Sequence, residues 1–127
     1  MSLKGKVIHQ PGMALGSGHK NLLLVVSTQC HFCQASLPFY KRLAPAATSA
    51  GVHTVAFLPD DANTAGAFLE NGGIKVDAVQ SIQPSDIGVH ATPTIILTDD
   101  TGKVIKDWDG QLSSARESEV LTEVAKP

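Results

Sequence analysis

The sequence predicts an α/β sandwich, a mixed central β-sheet flanked by helices on both faces. Three observations carry that prediction. The run Leu22-Leu23-Leu24-Val25-Val26 is apolar on both alternating faces, as a central strand covered from each side must be. Strand and helix patterns alternate through the first half of the chain and end in a hairpin and a helix, which calls for parallel neighbours first and an antiparallel pair last. Finally, 127 residues with 43% apolar and 17% charged side chains have the size and composition of one packed core, so residues 1–127 are expected to form a single domain.

Taken in order, Lys6–Ile8 is expected as a short first strand, followed by a glycine-rich loop from Pro11 to Gly18. After the central strand, Cys30 opens a helical segment through Leu37, Phe39, Tyr40 and Leu43 to about Ala50, with Gly51 as its stop and Pro38 kinking it. Val52–Leu58 reads as a second buried strand. Asp61–Glu70 reads as a helix with an acidic start, closed by Asn71-Gly72-Gly73. Ile74–Val79 is expected as a short edge strand and Pro84–Ile87 as a helical turn. Thr94-Ile95-Ile96-Leu97-Thr98 is β-branched and strand-like; Asp99–Lys103 supplies turn chemistry, and Val104–Trp108 is the hairpin partner, with Trp108 packed on one face. Ser114-Ala115-Arg116-Glu117 fits a capping box for a final helix ending near Lys126. Paired aspartates at Asp60-Asp61 and Asp99-Asp100 read as turn and cap residues.

Composition narrows the function classes. A formal net charge of −2 offers no broad basic footprint for nucleic acid or an anionic membrane. The five-residue run Leu22–Val26 is too short to cross a bilayer, and no basic-then-apolar leader precedes it. The two cysteines sit three positions apart, so they are poor candidates for a disulfide scaffold, which leaves metal binding, redox chemistry or chance.

The chemistry-bearing motif is Cys30-His31-Phe32-Cys33, placed directly after a buried strand and at the start of a helix. A helix N-terminus presents unpaired N–H groups and partial positive charge, which stabilise a thiolate. Cys30 lies nearer that terminus and is the expected nucleophile; Cys33, one turn on and deeper, would resolve the mixed disulfide. His31 either favours the thiolate by its charge or is a solvent-facing loop residue. Phe32 is a packing or substrate-contact residue.

Residues Asn21 to Leu43 resemble the thioredoxin family: an apolar strand, a C-x-x-C pair, and a proline five positions after the second cysteine, here Pro38. Gly88-Val89-His90-Ala91-Thr92-Pro93-Thr94-Ile95-Ile96-Leu97 resembles that family's second signature, and Asp99 to Gly110 continues the match. The resemblance implies a thioredoxin fold with Pro93 as a cis-proline beside the cysteines and the Thr92 backbone docking an extended substrate chain. It implies a monomeric, cofactor-free thiol–disulfide oxidoreductase, without metal, whose partners are protein thiols and disulfides and a redox partner protein. Residues Asp60 to Gln83 resemble the αβ insertion, placed before the cis-proline strand, of the extracytoplasmic TlpA- and ResA-like branch. That likeness implies a periplasmic or other extracytoplasmic setting, with a cytoplasmic one as the alternative, and a membrane tether outside these residues.

The chain also departs from the family. Gln29 stands where tryptophan is usual, Leu24 where thioredoxin carries a buried aspartate, and Ser36 where the tethered branch carries a glutamate. The proton of Cys33 therefore lacks its usual carboxylate, and water or a histidine such as His90 would have to serve. Two rival readings remain. In a peroxiredoxin-like peroxidase, Ser27 would fit the hydroxyl position while Leu23 replaces the proline. In a metal- or partner-binding module, the two cysteines would join two of His9, His19, His31, His53 and His90.

Overall fold

A computed structural model describes residues 2–11, 15 and 18–127. Most of the expected glycine-rich loop, at positions 12–14, 16 and 17, lies outside the described residues. The central strand β1 (Asn21–Val25) is buried along its whole length. It pairs in parallel with β2 (His53–Leu58), placing Leu23 opposite Val55, and antiparallel with β4 (Thr94–Thr98), placing Leu23 opposite Ile96. With β3 (Ala78–Ser81) parallel to β2 and β5 (Val104–Asp109) antiparallel to β4, the sheet runs β3-β2-β1-β4-β5. This is the mixed sheet that the element order demanded.

The period of two along β1 divides the core. Leu22 and Leu24 join one apolar cluster, and Leu23 and Val25 join the other. The first cluster is closed by α1 (His31–Ala35), α2 (Leu37–Ser49), α3 (Ala62–Asn71) and α4 (Ser114–Ala125), through residues such as Leu43, Leu69 and Val120. Among the described residues, the second face carries a helix too, but only the 3-10 turn Pro84–Ile87. There Ile87 and Val89 share the cover with Leu3, Ile8 and Leu15 of the N-terminal segment. The buried Asn21 amide fastens that segment by donating to the Leu15 carbonyl and, at 2.9 Å, to the Thr98 hydroxyl.

Four local expectations are corrected. Lys6–Ile8 forms no strand; Val7 makes a single antiparallel bridge to Lys103. The segment's backbone bonds are spent on the hairpin turn, where Ile8 N–H donates to Gly102 O. The edge strand lies later than Ile74–Val79, because Ile74 N–H closes α3 on Leu69 O and the parallel register begins at Ala78 opposite Val55. The last helix is capped by Ser113, whose hydroxyl accepts Arg116 N–H at 3.3 Å; Glu117 is released from the expected box and pairs with Arg42 of α2 at 3.1 Å.

The fourth correction touches the motif. The helix after Cys30 does not run on through a proline kink but stops and restarts at Ser36. Ser36 N–H bonds to Phe32 O and Cys33 O, and its hydroxyl donates to Phe32 O at 2.7 Å. Pro38 becomes the second residue of α2, in the first turn, where its missing N–H leaves no helical bond unmade.

The turn before β5 is held by one side chain: Asp99 Oδ1 accepts Thr101 N–H at 2.8 Å, the Thr101 hydroxyl at 2.6 Å and Lys103 N–H at 3.0 Å. Gly102 sits in it at φ +88° under the Ile8 carbonyl, a backbone conformation that would strain any residue with a β-carbon. Trp108, packed as expected in the helical-face core, also donates its indole N–H to Glu119 of α4 at 2.9 Å.

Candidate redox site

β1 and β2 run parallel and deliver two chain ends to the same edge of the sheet, the loop 26–30 and the loop 59–61. β4 runs the other way beside β1, with Thr94 opposite Val25, so the residues just before β4 reach that edge as well. The site is the meeting of these three segments.

Cys30 is the N-cap of α1, in extended conformation, and its sulfur accepts Cys33 N–H at 3.2 Å. On the other side the same sulfur lies 3.4 Å from the Thr92 carbonyl oxygen, to which the thiol donates. Burial pushes the Cys30 thiol up, but its hydrogen bonds with Cys33 outweigh it and leave the thiol more acidic than usual. Cys33 faces inward and is fully buried among the helical-face core residues. Burial, followed by its bond to the neighbouring Cys30, pushes its thiol up to about 12. Both cysteines are free thiols. The arrangement is thus asymmetric, with one accessible, acidified sulfur and one deep, protonated sulfur a helical turn away.

The Thr92–Pro93 peptide bond is cis, as the sequence led us to expect. Its loop is fastened on both sides: Pro93 O accepts Gly110 N–H at 2.8 Å, and the Thr94 hydroxyl donates to Ala91 O at 2.8 Å. The fold therefore brings Cys30, Cys33, Thr92 and Pro93 together. His31 is exposed, with its ring edge-on to Phe32 at 5.5 Å between centroids. Phe32 is 55% exposed, so packing is not its role.

His19 and His53 stack at 4.7 Å at the opposite ends of β1 and β2, and His90 is exposed beside a cavity of about 190 Å³ with Leu3, Val89 and Asp107. Among the described residues, no three histidine, cysteine or acidic side chains are gathered as a metal site would require. Ser27, the hydroxyl of the peroxidase reading, bonds instead to Gln29 N–H at 3.2 Å, and Leu23 is in the core. Leu24 is likewise core, and Ser36 forms the break between helices, so neither place offers Cys33 a carboxylate.

Two features escaped the reading of the sequence. Tyr40 is buried on α2, where burial holds its phenol protonated despite a bond with Ser36. Asp60, expected as a turn residue, accepts both Thr28 N–H at 3.1 Å and the Thr28 hydroxyl at 2.5 Å. The available signal was topological: a residue just past β2 must stand beside one just past its parallel neighbour β1.

The chain matches the Thioredoxin-like domain family over residues 9–125. It belongs to that family. No curated protein sequence matches it. Among solved structures, this thioredoxin-like domain is similar to a thiol:disulfide interchange protein from Bacteroides sp., at 16% identity and TM-score 0.71, over 99% of this chain and 88% of that one. It is similar to a secreted Mycobacterium tuberculosis disulfide oxidoreductase at 17% identity and TM-score 0.70, over 88% and 84%. It is also similar to StoA from Bacillus subtilis, at 17% identity and TM-score 0.67, over 94% and 96%. At such identities the likeness establishes the shared fold.

Proposed function

We propose that this chain, as one domain spanning residues 1–127, is a thiol–disulfide oxidoreductase that exchanges electrons with protein disulfides. The observation that carries the proposal is the position of the Cys30 sulfur, which meets Cys33 N–H at 3.2 Å and the Thr92 carbonyl at 3.4 Å. The more acidic, more accessible thiol thus faces the loop on which a client would lie. Support also comes from family membership and from the interchange and oxidoreductase proteins that share the fold.

In the reducing direction, the Cys30 thiolate attacks one sulfur of a client disulfide. A Cys30–client bond forms, the client S–S bond breaks, and the other client sulfur leaves as thiolate and takes up a proton. Cys33 then gives up its proton, attacks the Cys30 sulfur and expels the second client sulfur as a thiol. The client gains two electrons and two protons, and the chain is left with a Cys30–Cys33 disulfide; the oxidising direction is the reverse. The Thr92 backbone beside Pro93 docks the client as an added strand, with exposed Phe32 as an apolar contact. His31, exposed beside Cys30, favours the thiolate when protonated. The partners are protein clients and a redox partner protein, and the working form is a monomer. An extracytoplasmic setting is favoured by the likeness to the secreted mycobacterial protein. No helix among the described residues is long and apolar enough to cross a membrane.

Trapping tests the proposal. The Cys33→Ser variant, incubated with insulin as a disulfide protein, should accumulate a covalent adduct that dithiothreitol releases, while Cys30→Ser gives none. Equal adduct from both variants, or from neither, contradicts the assignment.

A further inference from the structure

The α3–β3 insertion and the Asp60 carboxylate take no part in the exchange steps above, yet they converge on the loop that carries Cys30. Thr28 stands two residues before Cys30, and its polar groups are held from two directions. Its N–H and hydroxyl both donate to the Asp60 carboxylate, at 3.1 and 2.5 Å. Its carbonyl accepts the Gln34 side-chain amide of α1 at 2.9 Å. The next links are also made: Cys30 N–H donates to Ser27 O at 3.2 Å, and Gln29 N–H to the Ser27 hydroxyl at 3.2 Å. On the far side, the Asp60 carbonyl accepts the Ser81 hydroxyl of β3, and the adjoining Asp61 caps α3 by accepting Thr64 N–H at 2.8 Å. A chain of hydrogen bonds therefore runs from the inserted unit through Asp60 and Thr28 to the cysteine loop.

We propose that Asp60 is a positioning residue for Cys30: its carboxylate clamps Thr28 at both donors and so aims the Cys30 sulfur at Cys33 N–H and the Thr92 carbonyl. The carboxylate is half-buried and takes two hydrogen bonds from one residue, which fixes Thr28 in rotation as well as position. One residue, Gln29, then separates this anchor from a sulfur whose thiolate is stabilised by Cys33 N–H at 3.2 Å, with the Thr92 carbonyl 3.4 Å away on its other side. A slackened loop lengthens the Cys33 N–H contact, and a bond of that length weakens steeply with misalignment. The inserted α3–β3 unit acquires a task, as the buttress that holds Asp60 in place. The proposal deepens the exchange reading and rests on Cys30 being its attacking sulfur.

A charge effect and a positioning effect have opposite signs, which makes the proposal testable. If Asp60 acted on Cys30 through its charge, removing it would relieve repulsion and make the thiol more acidic. If it acts by clamping, removing it makes the thiol less acidic. The readout is the Cys30 thiolate in the full reduced chain carrying Cys33→Ser, followed by thiolate absorbance against pH and by the iodoacetamide rate. No client is needed, so a failed exchange assay and a failed clamp remain distinguishable. Asp60→Ala should lower the thiolate population at neutral pH by about threefold to tenfold, the share of one charge-assisted hydrogen bond. Asp60→Asn keeps an acceptor for Thr28 N–H and a donor for its hydroxyl, and should restore most of the loss. Thr28→Val removes only the hydroxyl, should give an intermediate loss, and decides the matter if Asp60→Ala does not fold. An unchanged or more acidic Cys30 in Asp60→Ala or Thr28→Val overturns the proposal, as does an Asp60→Asn variant that behaves like Asp60→Ala.

Discussion

Treating the reduced protein with iodoacetamide at pH 7 should label Cys30 and leave Cys33 untouched, by a margin the structure allows to be worked out. A thiol held near 12 is about one part in 10⁵ thiolate at pH 7. An unperturbed thiol at 9.0 is about 1% thiolate at that pH. Cys30 is more acidic than that, so its thiolate exceeds that of Cys33 by more than about a thousandfold. The Cys33 thiolate, once formed, is the better nucleophile; with a Brønsted coefficient of about 0.45 this returns roughly 20-fold. The net preference is about 50-fold from acidity alone, and the complete burial of Cys33 widens it. The assay is the initial rate at each sulfur, read by peptide mass spectrometry over a range of pH and checked with Cys30→Ser and Cys33→Ser. Comparable initial rates at the two sulfurs, or a Cys30 midpoint at or above the unperturbed 9.0, would refute the reasoning.

Other expectations concern stability. The folded-state thiol of Cys33 titrates above its unfolded value of 9.0, so its contribution is intact below that pH and is lost as pH rises toward about 12. The urea midpoint of the reduced protein should therefore fall between pH 8 and pH 11, and Cys33→Ala should flatten that fall. Phe57→Ala, which empties a fully buried site on the second face, should cost about 3–5 kcal/mol by chemical denaturation, whereas Val79→Ala at a 42% exposed position should stay within about 0.5 kcal/mol. Ser113→Ala should cost about 1 kcal/mol as the true cap of α4, and Ser114→Ala almost nothing; the reverse ranking would contradict the observed cap.

The sequence made legible what is periodic or local. Leu22–Val26 declared a strand buried on both faces, and the cysteine pair declared its helix N-terminus, because each signal is contained in a few neighbouring residues. Thr92-Pro93 was legible only jointly with the cysteines, since the dipeptide alone is ordinary. What escaped depends on tertiary choice. Pro38 signalled an interruption, but whether the helix bends or restarts was settled by Ser36, which can spend its N–H and hydroxyl on the preceding turn. Val7 has the letters of a strand, but the hairpin turn beside it offers a single bridge. Asp60 and Asp61 look alike as a turn pair, yet one reaches 32 positions back to Thr28 while the other caps its own helix. No local pattern separates them; the parallel register of β1 and β2 does.

The most direct test of the central claim is the redox equilibrium of the Cys30–Cys33 pair in graded glutathione buffers, with the oxidised and reduced forms counted by mass after thiol trapping. The account predicts one two-electron transition to an intramolecular disulfide, between about −270 and −120 mV, with no transition in either single-cysteine variant. If the pair stays dithiol throughout, or takes up glutathione without ever closing the Cys30–Cys33 bond, thiol–disulfide exchange through this pair is contradicted.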